Sequence, residues 1–425
     1  MENDDHIKNT VNHLFRQESG KMVSVLIKIF GTENIELAED VVQDALVKAL
    51  ETWKYRGMPD NPRAWLYRTA KNKAIDVIRR NKHSQLIDFS DPEKQLLTSS
   101  YTLGVTMDNY WQEDSVKDDF LGMMFACCHP KISQENQITF ILKSLCGFST
   151  KEVAKSFLTN EETISKRLYR TKEYFRKHKI RPVIPNSVEI ITRSNTVLSA
   201  IYLMFNEGYN STHDDQLIRK DLISQAMLLC HSLLSEDRTR LPKVFALMAL
   251  MCFHAARVDS RLGPKGELIL LHKQDRTQWD VDLINSGEQY LNRASFGNEL
   301  STYHIEAAIA YQHCDAKTYD DTNWAEILKY YNMMLDISYD PIVFLNKCLV
   351  ILQLEGPKEA LRIFDKIRED KVLQKYYLYH AILGQIYQKL ERYKEAVLYY
   401  KDAIALTQSK HEKQFLKDKI DKMLL

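Results

Sequence analysis

The sequence predicts an all-α protein, and three observations carry that expectation. Only 13 of 425 residues are Gly and 10 are Pro, about 3% and 2% of the chain against a usual about 7% and 5%, so turns are few. No Val/Ile/Thr-rich alternating run bounded by Asn-Gly or Asp-Gly appears, which removes the ordinary signature of a sheet. Apolar residues instead recur at helical spacing over long stretches. With 44% hydrophobic residues the chain is globular, and its length suits about two to four domains.

The balance of 58 Lys+Arg against 57 Asp+Glu hides a division along the chain. Residues 63–82 and 166–181 are basic, whereas 84–119 carry Asp88, Asp91, Glu93, Asp108, Glu113, Asp114, Asp118 and Asp119 against Lys94 and Lys117. Acids in MENDDHIKNT, where a signal peptide needs bases, and the lack of an apolar run of about 18 residues predict a chain neither exported nor membrane-spanning. Seven scattered cysteines, never spaced C-x-x-C, fit reduced thiols in a cytoplasm.

Residues 6–83 read as a compact helical unit. In a helix over 36–51, Ala38, Val41, Val42, Ala45, Leu46 and Ala49 share one side and form its core face. The other side carries Asp40, Gln43, Asp44 and Glu51 around Val47, the centre-and-rim pattern of a docking surface. An ordinary solvated face with one stray valine accounts for the same pattern. In a helix over 64–80, Leu66, Tyr67, Ala70, Ala74, Val77 and Ile78 turn inward and Trp65, Arg68, Asn72, Asp76 and Arg79 lie opposite. A tryptophan among arginines suits unpaired nucleic acid, because the ring stacks on a base while guanidinium groups hold phosphates. The alternative packs Trp65 on the preceding loop KYRGMPDNP.

Residues 84–118 read as an acidic, weakly periodic linker. Residues 119–181 form a second small helical unit, closed by Pro182 and Pro185. Within it Ser149 with Glu152, and Thr159 with Glu162, read as capping boxes opening two helices separated by the turn LTN. That is helix-turn-helix geometry. Ile164, Leu168 and Phe175 form the inner stripe of the second helix, leaving Thr163, Lys166, Arg167 and Arg170 outward to reach base edges and phosphates in a major groove. Arg176, Lys177 and Lys179 extend the phosphate-binding tail. A solvated basic face on a structural hairpin is the plainer alternative.

Residues 188–425 read as a long helical array. Ala325, Ala360 and Ala396 fall about 35 residues apart, each followed by an aromatic at similar offset, near the 34-residue tetratricopeptide period. A tetratricopeptide-like solenoid explains this spacing, with a generic antiparallel helical bundle as the alternative.

The combination resembles a sigma factor of the sigma-70 family, of the extracytoplasmic-function class, over residues 10–180. AEDVVQDALVKALETW resembles the part of region 2 that grips the clamp helices of the polymerase beta-prime subunit, with Asp40, Gln43, Asp44 and Val47 as contacts. NPRAWLYRTAKNKAIDVIRR looks like the melting and minus-ten segment, which implies contacts by Arg63, Trp65, Arg68, Asn72, Lys73, Asp76, Arg79 and Arg80. EVAKSFLTNEETISKRLYRTK is similar to the region 4 helix-turn-helix that reads the minus-thirty-five element, with Glu162, Thr163, Lys166, Arg167 and Arg170 as contacts. Ser165-Lys166 reverses the commoner order of a base followed by serine. The remainder looks like the tetratricopeptide-like extension of one subfamily, which shares Cys127-Cys128-His129-Pro130 and a motif like FNEGYNST. The resemblance implies core RNA polymerase (beta-prime clamp helices and beta flap) and promoter DNA as partners, a regulatory protein on the C-terminal array, an acidic linker lying in positively charged polymerase channels, and no catalytic residue or cofactor.

Other chemistries find less support. Adjacent cysteines rarely chelate one ion well, so Cys127-Cys128-His129 reads as buried thiols rather than zinc. Asn206, Glu207, Tyr209, His254, Arg257, Asp275, Arg276, Trp279 and Asp280 line either a small-molecule site or a buried hydrogen-bonded network. No Gly-rich phosphate loop, G-x-S-x-G or H-E-x-x-H is present. A stand-alone helix-turn-helix regulator with a tetratricopeptide sensor, and an enzyme hidden in the extension, are the competing readings.

Overall fold

A computed structural model of the chain describes residues 2–81, 87–89, 92–157, 159–180, 185–211, 217–263, 267, 269–371, 373–407 and 410–424. The described residues are helical, with no strand, as composition and periodicity predict. They fall into two units, Met1–Glu207 with Ser224–Leu229, and Gly208–Ile223 with Cys230–Leu425. The residues around the predicted 83/84 boundary and Pro182 lie outside the described residues.

The first unit opens with α1 (Glu2–Phe30), α2 (Ile35–Arg56) and α3 (Pro62–Asn81). Each boundary has a local cause. Gly57, at φ +79°, ends α2 with its N–H on the Trp53 carbonyl. Asn61 then caps α3, its side chain accepting from the Ala64 N–H at 2.9 Å, with Pro62 in the first turn where its missing donor costs nothing. The apolar faces of α2 and α3 are buried as their periodicity predicts, from Ala38 to Ala49 and from Leu66 to Ile78.

The segment 84–118 is not a loose tether over its described part. It holds α4 (Pro92–Gln95), α5 (Leu103–Tyr110) and the first turn of α6 (Glu113–Cys127), and it buries Ile87, Leu97, Leu103, Met107 and Val116. Those apolar anchors, thinly spread among acids, are what turn a linker into packed structure.

Next come α7 (Gln134–Phe140), a widened π turn over Ile141–Leu145, α8 (Thr150–Ser156), α9 (Glu161–His178) and α10 (Ser187–Tyr209). Ser149 and Glu152 form the predicted capping box. The cap of α9 is Asn160, not Thr159: its Oδ1 accepts from the Thr163 N–H at 2.8 Å, because the helix starts one residue later than the Thr159 pairing requires. Gly20 on α1 sits directly on the π turn, where an added Cβ would fall 1.8 Å from the Leu145 carbonyl oxygen. Backbone contact of this kind packs the two predicted small modules into one unit, and α10 belongs to that unit through Glu207.

The second unit contains α11 (Lys220–Ser235) apart from 224–229, then α12 (Pro242–Ala255), α13 (Val281–Ala294) and α14 (Thr302–Asp315). Helix α12 is apolar on nearly every side and serves as the core, with Gly287 of α13 close against the Phe253 ring. The chain continues as α15 (Trp324–Ile337), α16 (Pro341–Leu354), α17 (Pro357–Phe364), α18 (Tyr377–Lys389), α19 (Tyr393–Leu406) and α20 (Lys410–Leu424). One core runs from Leu345 through Phe364, Tyr379 and Tyr400 to Ile420. Ala360 and Ala396 are buried in it, but Ala325 is exposed. The fourth residue of α15, the place held by Ala360 in α17 and Ala396 in α19, is the buried Ile327, so the sequence match at Ala325 was out of frame by two residues.

Candidate nucleic-acid interface

Helix α3 presents Arg68, Asn72, Asp76, Arg79 and Arg80 exposed along one side. Trp65 stands at the head of this row but is not free of the protein: half-buried, it meets the buried Trp53 edge-on, ring centroids 5.4 Å apart and planes at 68°. One edge of the indole thus packs on α2 at Trp53, outside the loop KYRGMPDNP that the alternative named, while the rest remains accessible. Thr69, one turn along, bonds back to the Trp65 carbonyl at 2.9 Å.

The remaining two predicted contacts on α3 are held at its flanks. Lys73 donates to Asp44 of α2 at 3.0 Å, which joins the expected strand-binding helix to the expected polymerase-binding one. Arg63 lies 3.3 Å from the buried Glu18 of α1 and over the Tyr67 ring at 5.4 Å. Tyr67 donates to Glu18 at 2.7 Å, and burial followed by the nearby carboxylate pushes its phenol well above the ordinary value. Glu18 is therefore an organising residue that the sequence reading did not single out; its place between Leu14 and Met22, one turn to either side on the buried stripe of α1, was the available signal.

On α2, Asp40, Gln43, Asp44 and Glu51 are exposed around Val47, itself 52% exposed, and Leu50 adds a second accessible apolar residue one turn along. The face is a small apolar centre with a polar rim.

Along α9, Glu162, Lys166 and Arg170 are exposed and Thr163 is half-buried, its hydroxyl 2.9 Å from Asn160 Oδ1. Lys166 is engaged by Glu162 at 2.6 Å. Arg167 departs from the prediction: its guanidinium lies over the Phe157 ring at 5.0 Å and one of its nitrogens is buried, so it packs the turn rather than pointing outward. The inner stripe is Ile164, Thr171 and Phe175, with Leu168 only half-buried.

The basic tail is also differently employed. Arg176 bonds to Glu36 at 2.9 Å and to Glu173, Lys179 approaches Glu33 at 3.9 Å, and Lys172 donates to Glu39 at 2.6 Å. Glu39 accepts a second bond from Ser144 at 2.8 Å. Glu33, just before α2, and Glu36, in its first turn, thus hold two of the three cations expected to meet phosphate; Lys177 stays exposed.

Cys127 and Cys128 are buried thiols, the second pushed up to about 12 by burial. His129 packs on Tyr174, its Nδ1 3.2 Å from the phenol oxygen. Among the described residues no three His, Cys, Asp or Glu side chains converge to hold a metal, and no helix is long and apolar enough to cross a membrane.

Of the predicted polar set, Asn206 and Glu207 belong to the first unit and Asp275 and Asp280 are exposed; in the second unit Tyr209, Arg257 and Arg276, with Arg261, form a hydrogen-bonded network at helix ends. Arg257 donates to the Tyr209 hydroxyl at 2.6 Å, Arg261 to the Tyr209 carbonyl and to Asn210 at 2.6 Å, and Arg276 to the Ala316 carbonyl at 2.6 Å. Carbonyls at the C-terminal ends of α10 and α14 thus receive guanidinium charge, the favourable sign for a helix C-terminus. Trp279 lies beneath Arg257 and Arg276. Burial first, then Arg257 and a second guanidinium, lower His254 well below its usual range and His313 to about 3. Asp275 and Asp280 cap short helical starts at Thr277 and Leu283.

A family model described as Sigma-70 region 2 matches residues 14–84, the stretch of α1 to α3, and one described as a family of unknown function (DUF6596) matches residues 193–295. An uncharacterized protein of Rhizobium meliloti (strain 1021) is 29% identical over 399 residues, covering 94% of this chain and 92% of that protein. RNA polymerase sigma factor YlaC of Bacillus subtilis (strain 168) is 25% identical over 177 residues, covering 40% of this chain and 92% of that protein. No solved structure matches. The region 2 match falls on the two helices whose exposed faces are described above, and together with the distant relative it supports a sigma-70 family RNA polymerase sigma factor.

Proposed function

We propose that this chain is an extracytoplasmic-function-type sigma factor, cytoplasmic and without catalytic chemistry of its own, that brings core RNA polymerase to particular promoters and starts their melting. The observation that carries the reading is the row on α3 formed by the half-buried Trp65 and the exposed Arg68, Asn72 and Arg79, inside the segment that matches region 2. In this account Asp40, Gln43, Asp44 and Val47 dock on the beta-prime clamp helices, the α3 row takes an unpaired base and its phosphates, and Glu162, Thr163, Lys166 and Arg170 of α9 meet the minus-thirty-five duplex. The paired helices from Trp324 onward form a tetratricopeptide-like array that regulates the first unit by binding a protein, since stacked helix pairs present extended surfaces suited to peptides.

The test mixes purified full-length protein with core polymerase. Co-elution and promoter-dependent transcription are expected, with both reduced by charge reversal at Asp40 and Asp44. Folded protein that neither binds core nor supports transcription contradicts the proposal. Core binding untouched by the reversals moves the docking surface elsewhere.

A further inference from the structure

One flank of α3 is occupied by the chain itself. Lys71 donates to Asp108 of α5 at 2.5 Å, and Arg63 lies 3.8 Å from Glu113 at the start of α6. Between these acids in sequence, Trp111 sets its ring edge-on to Tyr67, centroids 5.5 Å apart. The three contacts frame an open cleft of about 360 Å³ that also reaches Asn61 and Arg68. Both carboxylates are well exposed, 64% each, so neither is there to fill a core.

The chemistry of this strap is that of a strand. A phosphodiester offers Lys and Arg an anionic oxygen, and an aromatic or guanidinium plane receives its base. Asp108 and Glu113 offer Lys71 and Arg63 the same anionic oxygens, and Trp111 takes the ring of Tyr67 in place of a base. Exposed ion pairs are individually weak, so such a strap is displaceable by a polyanion or by a partner that claims α5 and α6.

We infer that the α5–α6 segment is an internal competitor for the strand-binding helix, withholding Lys71 and, together with Glu18 of α1, Arg63 until it is moved aside. The inference rests on the strand-binding reading of α3 proposed above. It explains why an acidic segment is folded and anchored by Leu103, Met107 and Val116 beside α3.

The experiment measures binding of a labelled single-stranded oligodeoxynucleotide to the full-length protein at low salt, by anisotropy, with thermal melting as a check on folding. Asp108→Asn with Glu113→Gln is expected to tighten binding about three- to tenfold and to steepen the log–log salt slope by up to about 1.4, the share of two further phosphates. Trp111→Ala, which changes no charge, is expected to tighten binding in the same direction. Asp118→Asn, which removes one negative charge against the double variant's two, on an exposed residue of α6, is expected to leave it unchanged. Equal binding by all variants, or a gain from Asp118→Asn matching the others, overturns the strap while leaving the proposed function intact. Absence of strand binding in every folded variant overturns both.

Discussion

At the scale of single residues, Trp65 has two jobs that a mutation separates poorly unless both are read out. Its edge contact with Trp53 contributes to stability and its accessible face contributes to strand capture. Trp65→Ala is expected to lower stability by about 1 kcal/mol, the usual worth of such an aromatic pair, and to impair promoter opening while initial duplex binding is largely kept. Calorimetry and 2-aminopurine fluorescence measure the two effects; normal opening contradicts the stacking role. Arg170 differs because it is exposed and makes no role in the fold evident. Arg170→Ala is expected to weaken duplex binding and to reduce the salt slope by about 1, whereas an unchanged slope removes it from the phosphate contacts.

At the scale of elements, the capping box at Ser149 seats α8, and its loss is expected to cost about 1 kcal/mol in Ser149→Ala, read as a lower urea midpoint. Farther along, Gly384 of α18 accepts the Tyr400 ring of α19 so closely that an added Cβ would fall 2.7 Å from it. Gly384→Ala is expected to destabilise by about 1–3 kcal/mol, and a neutral outcome shows that Tyr400 can shift without cost. These elements also show what periodicity makes legible. The inward faces of α2 and α3, the Ser149 cap and the all-helical class follow from local spacing, which a single sequence displays directly. The folding of α5 and the start of α6 depends on few apolar anchors among acids, and the Glu33, Glu36 and Glu39 grip on the C-terminal half of α9 and its cap depends on partners more than 130 residues away in all three pairs. Long-range ion pairs leave no periodic trace. Arg167 was misplaced for a related reason: helical spacing puts it outward, but Phe157 in the preceding turn offers its guanidinium an aromatic face.

At the scale of the whole molecule, the buried imidazoles of the second unit give stability a predictable dependence on pH. His313 is lowered to about 3 and His254 well below 6.5, so the unfolded chain binds protons that the folded one refuses. Their contribution is fully present above about pH 6.5 and declines as pH falls toward 3. Melting is expected to move several degrees lower between about pH 7 and pH 5, with a smaller shift in His313→Gln; melting that rises on acidification contradicts this assignment.

The most direct test of the central claim places a photoreactive phenylalanine analogue at position 72, two turns beyond Trp65 on the outward face of α3, in the full-length protein assembled with core polymerase on a promoter carrying a premelted bubble. The account predicts crosslinks to the unpaired non-template strand, which require core and vanish on fully paired DNA that stays closed. Crosslinks that fail to appear although the assembly transcribes the template would contradict it.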